Sequence, residues 1–382
     1  MLYEDPSVKE FFSNRNLAPS TVTRYLEVLR LYVLYTGLTP KELIDEAEKE
    51  EDNRIRMRYR KIKTRLIGFK EFLISKNYSD GNIQNNLTTV KTFYHEFEIE
   101  TGKMKTTRNY HESETIKSIP TKDHIRCALS FANLKYQSII LLMLSSGCGA
   151  SEIISLSYED LLRSLKQYIE LPKTDLLNVD VLNDMVHQKE KQNTLIVATW
   201  HVIRTKTKMP YVTFSTSESI KAILKYLHYN PPESLDDPLF RVENVNRKLT
   251  VKALTTYFYR LNTKCEFGKT GRLIFLHSHV YRKYFASTLY KNKLPELNVH
   301  WMLGHKIDKV TEAYFKSDIN ALREQYISCI PDLSIEDTEV RVLESEDKKL
   351  LKELQRKVDL LEEADRLRKG REQKLKDLPL LK

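Results

Sequence analysis

The sequence predicts a mainly α protein with a small β-sheet, built as an N-terminal helical domain over residues 1–100 and a mixed α+β domain over 121–331. Three observations predict it. Apolar residues recur at helical spacing through the first hundred positions, a polar stretch without period runs from Glu100 to Pro120, and residues 194–214 alternate branched and polar side chains about a short basic turn. At 382 residues the chain is long enough for two cores, and 41% hydrophobic residues suffice to fill them.

The first predicted helix starts from Ser20 as N-cap beside Pro19. Val22, Tyr25, Leu26, Leu29 and Val33 trace its apolar face until Gly37 stops it. A second helix runs from Pro40 to Glu50. In the next, Ile55, Tyr59, Ile62, Leu66 and Phe69 form the buried stripe, while Arg54, Arg58, Lys61 and Arg65 align along another face. A solvated surface is the ordinary reading of such charges; four in a row without an acidic residue among them favour contact with a polyanion. Ile83, Leu87, Val90, Tyr94 and Phe97 close the bundle.

Residues 101–120 are predicted as a linker carrying Lys103, Lys105 and Arg108. Beyond it, helices are expected near Thr121–Asn133 and Tyr136–Leu144, then an irregular insertion with a helical turn or two from Asp160 to Gln192. The alternating segment follows as a β-hairpin with Lys206 and Lys208 at its turn. Further helices are expected near Ser217–His228 and Thr250–Leu261. A last helix through Arg323 and Tyr326 is ended by Pro331, and residues 332–382 form a charged helical tail. Leu351, Leu354, Val358 and Leu361 give that tail barely two heptads of coiled-coil spacing.

Sixty-two basic residues against 52 acidic ones leave a net charge of +10, which suits a polyanionic partner. The four cysteines, Cys127, Cys148, Cys265 and Cys329, have neither metal-site nor disulfide spacing and read as structural residues of a reducing compartment. The N-terminus lacks the basic start and apolar core of a signal peptide, and Ile139–Leu144 is too short to span a bilayer. The expectation is a soluble cytoplasmic, or otherwise intracellular, protein without a membrane partner. Gly268-Lys269-Thr270 resembles part of a phosphate-binding loop, but Thr263 stands where the leading glycine belongs, and no nucleotide site is predicted.

The chemistry concentrates between Leu276 and Phe315. His279 and Arg282 lie three apart in a helical pattern and leave one face of it. Trp301 and His305, four apart, are predicted to stack on another, with Gly304 allowing a tight backbone. Asp308 is the expected N-cap of a short helix carrying Tyr314. Imidazole, guanidinium and phenol suit phosphoryl transfer. Arginine and imidazole N–H groups stabilise charge on non-bridging oxygens, and a phenol can serve as covalent nucleophile. Taken singly, each residue has an ordinary reading: a His-x-x-Arg is common on solvated helices, and among 21 tyrosines Tyr281, Tyr284, Tyr290 and Tyr326 are rivals to Tyr314.

As an ordered set, these residues resemble the tyrosine recombinases, or phage-type integrases. His279 and Arg282 match the family's His-x-x-Arg, Leu303-Gly304-His305 its Leu-Gly-His, and Tyr314 its nucleophile. The resemblance implies a helical core-binding domain, a catalytic domain, and double-stranded DNA as substrate. It implies a homo-oligomer, a tetramer on paired sites, as in mobile genetic elements. Tyr314 would form a 3′-phosphotyrosyl link. Arg282 would hold the phosphate, His279 would assist proton transfer, His305 would donate a hydrogen bond, and Lys206, with Lys208 as rival, would protonate the leaving oxygen. Neither a cofactor nor a metal is implied. Glu152 matches a supporting acidic residue, its ordinary reading being a helix-start carboxylate.

One position departs from the family. In Gly147-Cys148-Gly149-Ala150-Ser151-Glu152, Gly149 stands where the first catalytic arginine belongs. This implies slow or absent cleavage, or an arginine supplied from elsewhere, with Arg126, Arg204 and Arg272 as candidates. The alternative is a catalytically impaired DNA-binding protein on the same scaffold; a type IB topoisomerase is a weaker enzymatic rival.

Overall fold

The computed structural model describes residues 2–104, 119–242, 245–270, 273–307 and 318–336. Tyr314, Asp308, Lys105, Arg108, Arg272 and the tail from 337 onward lie outside the described residues. The chain separates into two compact units, Met1–Glu112 and Ser113–Lys382.

The first unit is helical. Helix α1, Pro6–Ser13, has no counterpart in the sequence reading, because eight residues are too few for periodicity. Its signal is Asp5-Pro6: the Asp5 carboxylate accepts the Ser7 N–H at 3.0 Å and proline presets the first φ. Helix α2, Pro19–Thr36, is capped by Ala18 rather than Ser20, and ends at Gly37, whose φ is 72°. Its buried face is Val28, Leu29 and Tyr32, leaving Val22, Tyr25, Leu26 and Val33 partly covered. Helix α3, Pro40–Asp52, starts with a capping box between Thr39 and Glu42.

The helix predicted from Ile55 begins later, as α4, Lys61–Ser75. Arg54 turns the chain with φ 52°, residues Met57–Tyr59 form a 3-10 turn, and the Glu50 carboxylate accepts the Lys61 N–H at 3.0 Å to start the new helix. Ile62, Leu66 and Phe69 are buried as expected, whereas Tyr59 is 65% exposed. The four cations therefore do not share one helix face. Lys61 and Arg65 both pair with Glu46 from α3, and the Arg58 guanidinium lies 4.5 Å from the Tyr59 ring. The acidic partner that the local sequence lacks arrives through tertiary packing. Helix α5, Asp80–Glu96, completes the core with Ile83, Leu87, Val90, Phe93 and Tyr94. Edge-on aromatic pairs fill it, Tyr32 with Phe69 at 5.0 Å and Phe11 with Phe93 at 5.5 Å.

The second unit is organised about α7, Leu134–Ser146, nine of whose residues are buried. It follows α6, Lys122–Phe131, and packs against α11, Ser217–Tyr229, and α13, Ser278–Lys291. After the single turn α8, Ala150–Ile153, the stretch expected to hold a helical turn or two contains two full helices, α9, Tyr158–Leu165, and α10, Val179–Lys191. Caps explain both: Ser157 and Asp160 form a capping box, and Asn178 accepts the Val181 N–H at 3.2 Å. Val179, Leu182 and Val186 then give α10 a buried stripe.

The hairpin forms as predicted. Strand β1, Ala198–Ile203, pairs antiparallel with β2, Pro210–Ser215, in a register that sets Ile203 opposite Pro210. Trp200 is buried and donates to Ser215 Oγ at 2.9 Å. Helix α12, Val251–Lys264, precedes two-residue strands β3, Lys269–Thr270, and β4, Leu273–Ile274. Gly268-Lys269-Thr270 thus leads into a strand, not a helix. Helix α14, Glu296–Met302, stops before His305, and the last described helix, α15, is Ile319–Leu333. Pro331 lies inside its final turn instead of ending it, and the core extends past it. Leu333 and Ile335 are buried, and the Ile335 and Glu336 N–H groups donate to the Glu218 carboxylate at 3.0 and 2.9 Å.

Candidate active site

Arg282 leaves the buried side of α13 and is 8% exposed. Its Nη1 donates to the Gly147 carbonyl at 2.7 Å and its Nη2 to the Leu303 carbonyl. Both acceptors sit at chain reversals that demand glycine. Gly147 ends α7 with φ +66°, and a Cβ there would lie 2.4 Å from the Phe285 ring. Gly304 follows Leu303 with φ +63°, and a Cβ would lie 2.6 Å from the Tyr211 ring. The two glycines let two backbone oxygens close around one guanidinium.

A second guanidinium reaches the same place. Arg204, just beyond β1, donates from Nη1 to the Leu303 carbonyl as well, using the second lone pair of that oxygen. The hairpin turn holds it there: the Arg204 N–H donates to Met209 O at 2.9 Å, the Lys208 N–H to Arg204 O at 2.8 Å, and Lys208 takes φ 57°. Lys206 and Lys208 are exposed on that turn.

The left-handed Gly304 takes His305 out of α14, so His305 does not stack over Trp301 as the spacing suggests. Trp301 is buried, and the His305 N–H donates to His300 O at 2.9 Å with the two rings 5.0 Å apart. Partial burial, then the Arg282, Arg204 and His300 charges, push the His305 imidazole down to about 4. His279 shares α13 with Arg282, as predicted, and is exposed where Val280, Tyr281 and Arg282 after it are buried. Desolvation of its ring, followed by the charges of Lys283, Arg282, His277 and Arg204, holds it below the usual histidine range. Asn262 fixes the approach to α13, donating to Gly268 O at 2.9 Å and accepting the Leu276 N–H at 2.7 Å.

Glu152 lies in α8, 7% exposed, and accepts the Thr205 N–H at 3.4 Å. Gly149 caps that turn with φ −78° and ψ 169°, a backbone any residue adopts. The space is what is taken: a Cβ at Gly149 would lie 2.3 Å from Glu152 Oε2. The carboxylate occupies the exit of a side chain at 149.

Of the rival phenols, Tyr281 and Tyr326 are wholly buried, and desolvation raises both well above the usual tyrosine range. The Tyr326 hydroxyl donates to Ser145 O and the Tyr284 hydroxyl to Asp332 O, each at 2.8 Å. Only Tyr290 among the four is exposed. Sequence reasoning left Arg204 unranked beside Arg126, which instead pairs with Asp123 and donates to Ile335 O. Among the described residues, no group of histidine, cysteine and acidic side chains is arranged to hold a metal.

A model described as the phage integrase family matches residues 109–320, more than half of the chain. The chain belongs to the phage integrase family. Site-specific DNA recombination is the activity class of that family, and its enzymes cleave and rejoin DNA strands. No curated protein sequence matches the chain. The solved structures similar in fold include two integrases bound to DNA. One is a Tn1549 transposon integrase in complex with transposon right end DNA, 14% identical, covering 83% of this chain and 97% of that one with a TM-score of 0.50. The other is a lambda integrase tetramer bound to a Holliday junction, 12% identical, covering 81% and 76% with a TM-score of 0.50. At those identities the likeness is one of fold. No described helix of this integrase-family chain is long and apolar enough to cross a membrane.

Proposed function

We propose that the protein is an intracellular site-specific recombinase that cleaves and rejoins double-stranded DNA through Tyr314. The observation that carries this reading is the convergence of Arg282 and Arg204 on one carbonyl beside His305, within the span the family model matches. Such a cluster is built to receive a tetrahedral anion. The Tyr314 oxygen bonds to phosphorus as the bond to the 5′ oxygen breaks, giving a 3′-phosphotyrosyl link and a free 5′-hydroxyl. His279, held neutral by its surroundings, accepts the phenolic proton, and Lys206 on the exposed turn delivers one to the leaving oxygen, with Lys208 as its rival. His305 donates its ring N–H to a non-bridging oxygen, and Glu152 steadies the hairpin through Thr205. The free 5′-hydroxyl of a partner strand then attacks the phosphotyrosyl phosphorus and the Tyr314 oxygen leaves, so the bond energy is kept in the enzyme link until the strands rejoin.

In this reading residues 1–100 form the core-binding domain, 101–120 the linker, 121–336 the catalytic domain, since Leu333 and Ile335 belong to its core, and the residues beyond 336 a tail that joins protomers of a tetramer on paired sites. Lys103, Lys105 and Arg108 follow the backbone across the duplex.

The test uses a randomised library of nicked duplexes, in which loss of the short strand traps any adduct. A covalent complex on a denaturing gel is expected from the parent protein and none from Tyr314→Phe. An adduct that persists in Tyr314→Phe moves the nucleophile elsewhere. Gly149 favours a second reading, a DNA-binding protein with impaired cleavage; duplex binding without any adduct from the parent would establish it.

A further inference from the structure

We infer that Arg204, from the hairpin turn, is a catalytic residue that supplies the second guanidinium on the scissile phosphate in place of a side chain at Gly149. The inference rests on the recombinase reading above and names a residue that reading leaves open. Three observations carry it.

The first is convergence. The Arg204 and Arg282 guanidiniums, from elements far apart in the chain, donate to one oxygen, that of Leu303. Like charges brought to one point repel, and among the described residues no carboxylate forms an ion pair with either. Glu152, the nearby acid, lends Arg282 some opposing charge without pairing with it, and accepts the Thr205 N–H. An arrangement of two such forks is stabilised when an anion enters between them, and a phosphodiester with two non-bridging oxygens matches two planar donors. Each guanidinium carries five N–H groups; Arg204 spends one on Leu303 and Arg282 two, on Leu303 and Gly147, so donors remain for a ligand.

The second is the state of position 149. Glycine there is not required by its backbone angles, and the Glu152 carboxylate fills the path a longer side chain would take. A guanidinium arriving from 149 and the observed Glu152 position are mutually exclusive, whereas a guanidinium arriving from the hairpin leaves Glu152 in place.

The third is construction. Arg204 is fixed by backbone bonds on both sides of the turn, while Lys206 and Lys208 on the same turn are exposed and make no hydrogen bond of their own side chains among those seen. The turn thus divides its labour, presenting one anchored cation to the cluster and two free ones to solvent.

The experiment measures single-turnover cleavage of a duplex recovered from the nicked library. Loss of one such transition-state donor lowers the rate by about 10²–10³, and that drop is expected for Arg204→Ala, with a smaller loss for Arg204→Lys, which keeps the charge but not the fork. Gly149→Arg placed in the Arg204→Ala background is expected to recover part of the rate, since Glu152 must give way to admit it. A readout independent of cleavage is the binding of inorganic phosphate, followed through the His305 ring signals by NMR; Arg204→Ala should weaken it at least about tenfold. If Arg204→Ala cleaves at the parent rate and binds phosphate equally well, the inference is overturned. If the parent gives no adduct yet phosphate binding depends on Arg204, the two-arginine anion site stands and the recombinase reading falls.

Discussion

At the scale of single residues, the placing of His279 and Arg282 on one helix was legible because their relation is local: residues three apart within one apolar period belong to the same helix whatever the tertiary fold. Arg204 was not, since its partner is 99 residues away and nothing in a turn sequence says which of three cations is anchored. His305 was misread for a related reason. The four-residue spacing from Trp301 assumes continuous helix, and a glycine held at φ +63° against Tyr211 breaks that assumption. The surroundings of His305 give a testable titration. Its value of about 4 in the folded protein lies below the ordinary 6.5, so the folded state binds fewer protons than the unfolded one. The contribution of this group to stability is full above 6.5 and is lost as pH falls toward about 4. NMR should find the ring neutral at pH 7, and Arg204→Ala, which removes one of the charges acting on it, should raise the midpoint. A midpoint unmoved by that substitution would mean the Arg204 charge does not act on the ring.

At the scale of elements, periodicity found the long helices and the hairpin, and erred where caps or packing decide. The caps at Ser157 and Asn178 extend what the sequence offers as a helical turn or two into two full helices. In the first unit an apolar period through Ile55 and Tyr59 suggested a helix where the chain instead turns at Arg54 and makes a 3-10 turn at Met57–Tyr59 before α4 starts. That difference changes the expected contribution of the basic row. Arg54 and Arg58 are exposed and form no ion pair among the described residues, whereas Lys61 and Arg65 share Glu46. A cation already neutralised by a carboxylate releases fewer counterions on meeting a phosphate. Replacing Arg54 and Arg58 with alanine should therefore flatten the log–log salt dependence of DNA binding by about 2, at about 0.9 per phosphate contact. The same change at Lys61 and Arg65 should flatten it less. Equal effects of the two pairs would show that Glu46 lets go when DNA binds, and no effect of either would make the row a solvated surface.

At the scale of the whole molecule, composition and length gave two units and a polyanionic partner, but not where the catalytic unit ends. A proline is a good stop signal, yet Pro331 lies in the last turn of α15 and the chain goes on to bury Leu333 and Ile335. Lys122 and Arg126 from α6 hold that segment through the Pro331 and Ile335 carbonyls, at 2.9 and 3.0 Å. A truncation at Pro331 would thus remove two fully buried aliphatic side chains, worth about 1.5–3 kcal/mol each, and confound unfolding with loss of assembly. Cutting after Glu336 keeps every core residue described and removes the charged stretch with Leu351, Leu354, Val358 and Leu361 at heptad spacing. Barely two heptads are too few to hold a separate domain, but an apolar seam that short can add a contact to an assembly already tethered by DNA, where effective concentration is high. The shortened protein is expected to bind a single site with parental affinity and to assemble less completely on paired sites, as read by sedimentation velocity on duplexes carrying one site or two. Full assembly without the tail would instead mean that it packs on its own subunit, and weakened binding to the single site would assign it to DNA contact.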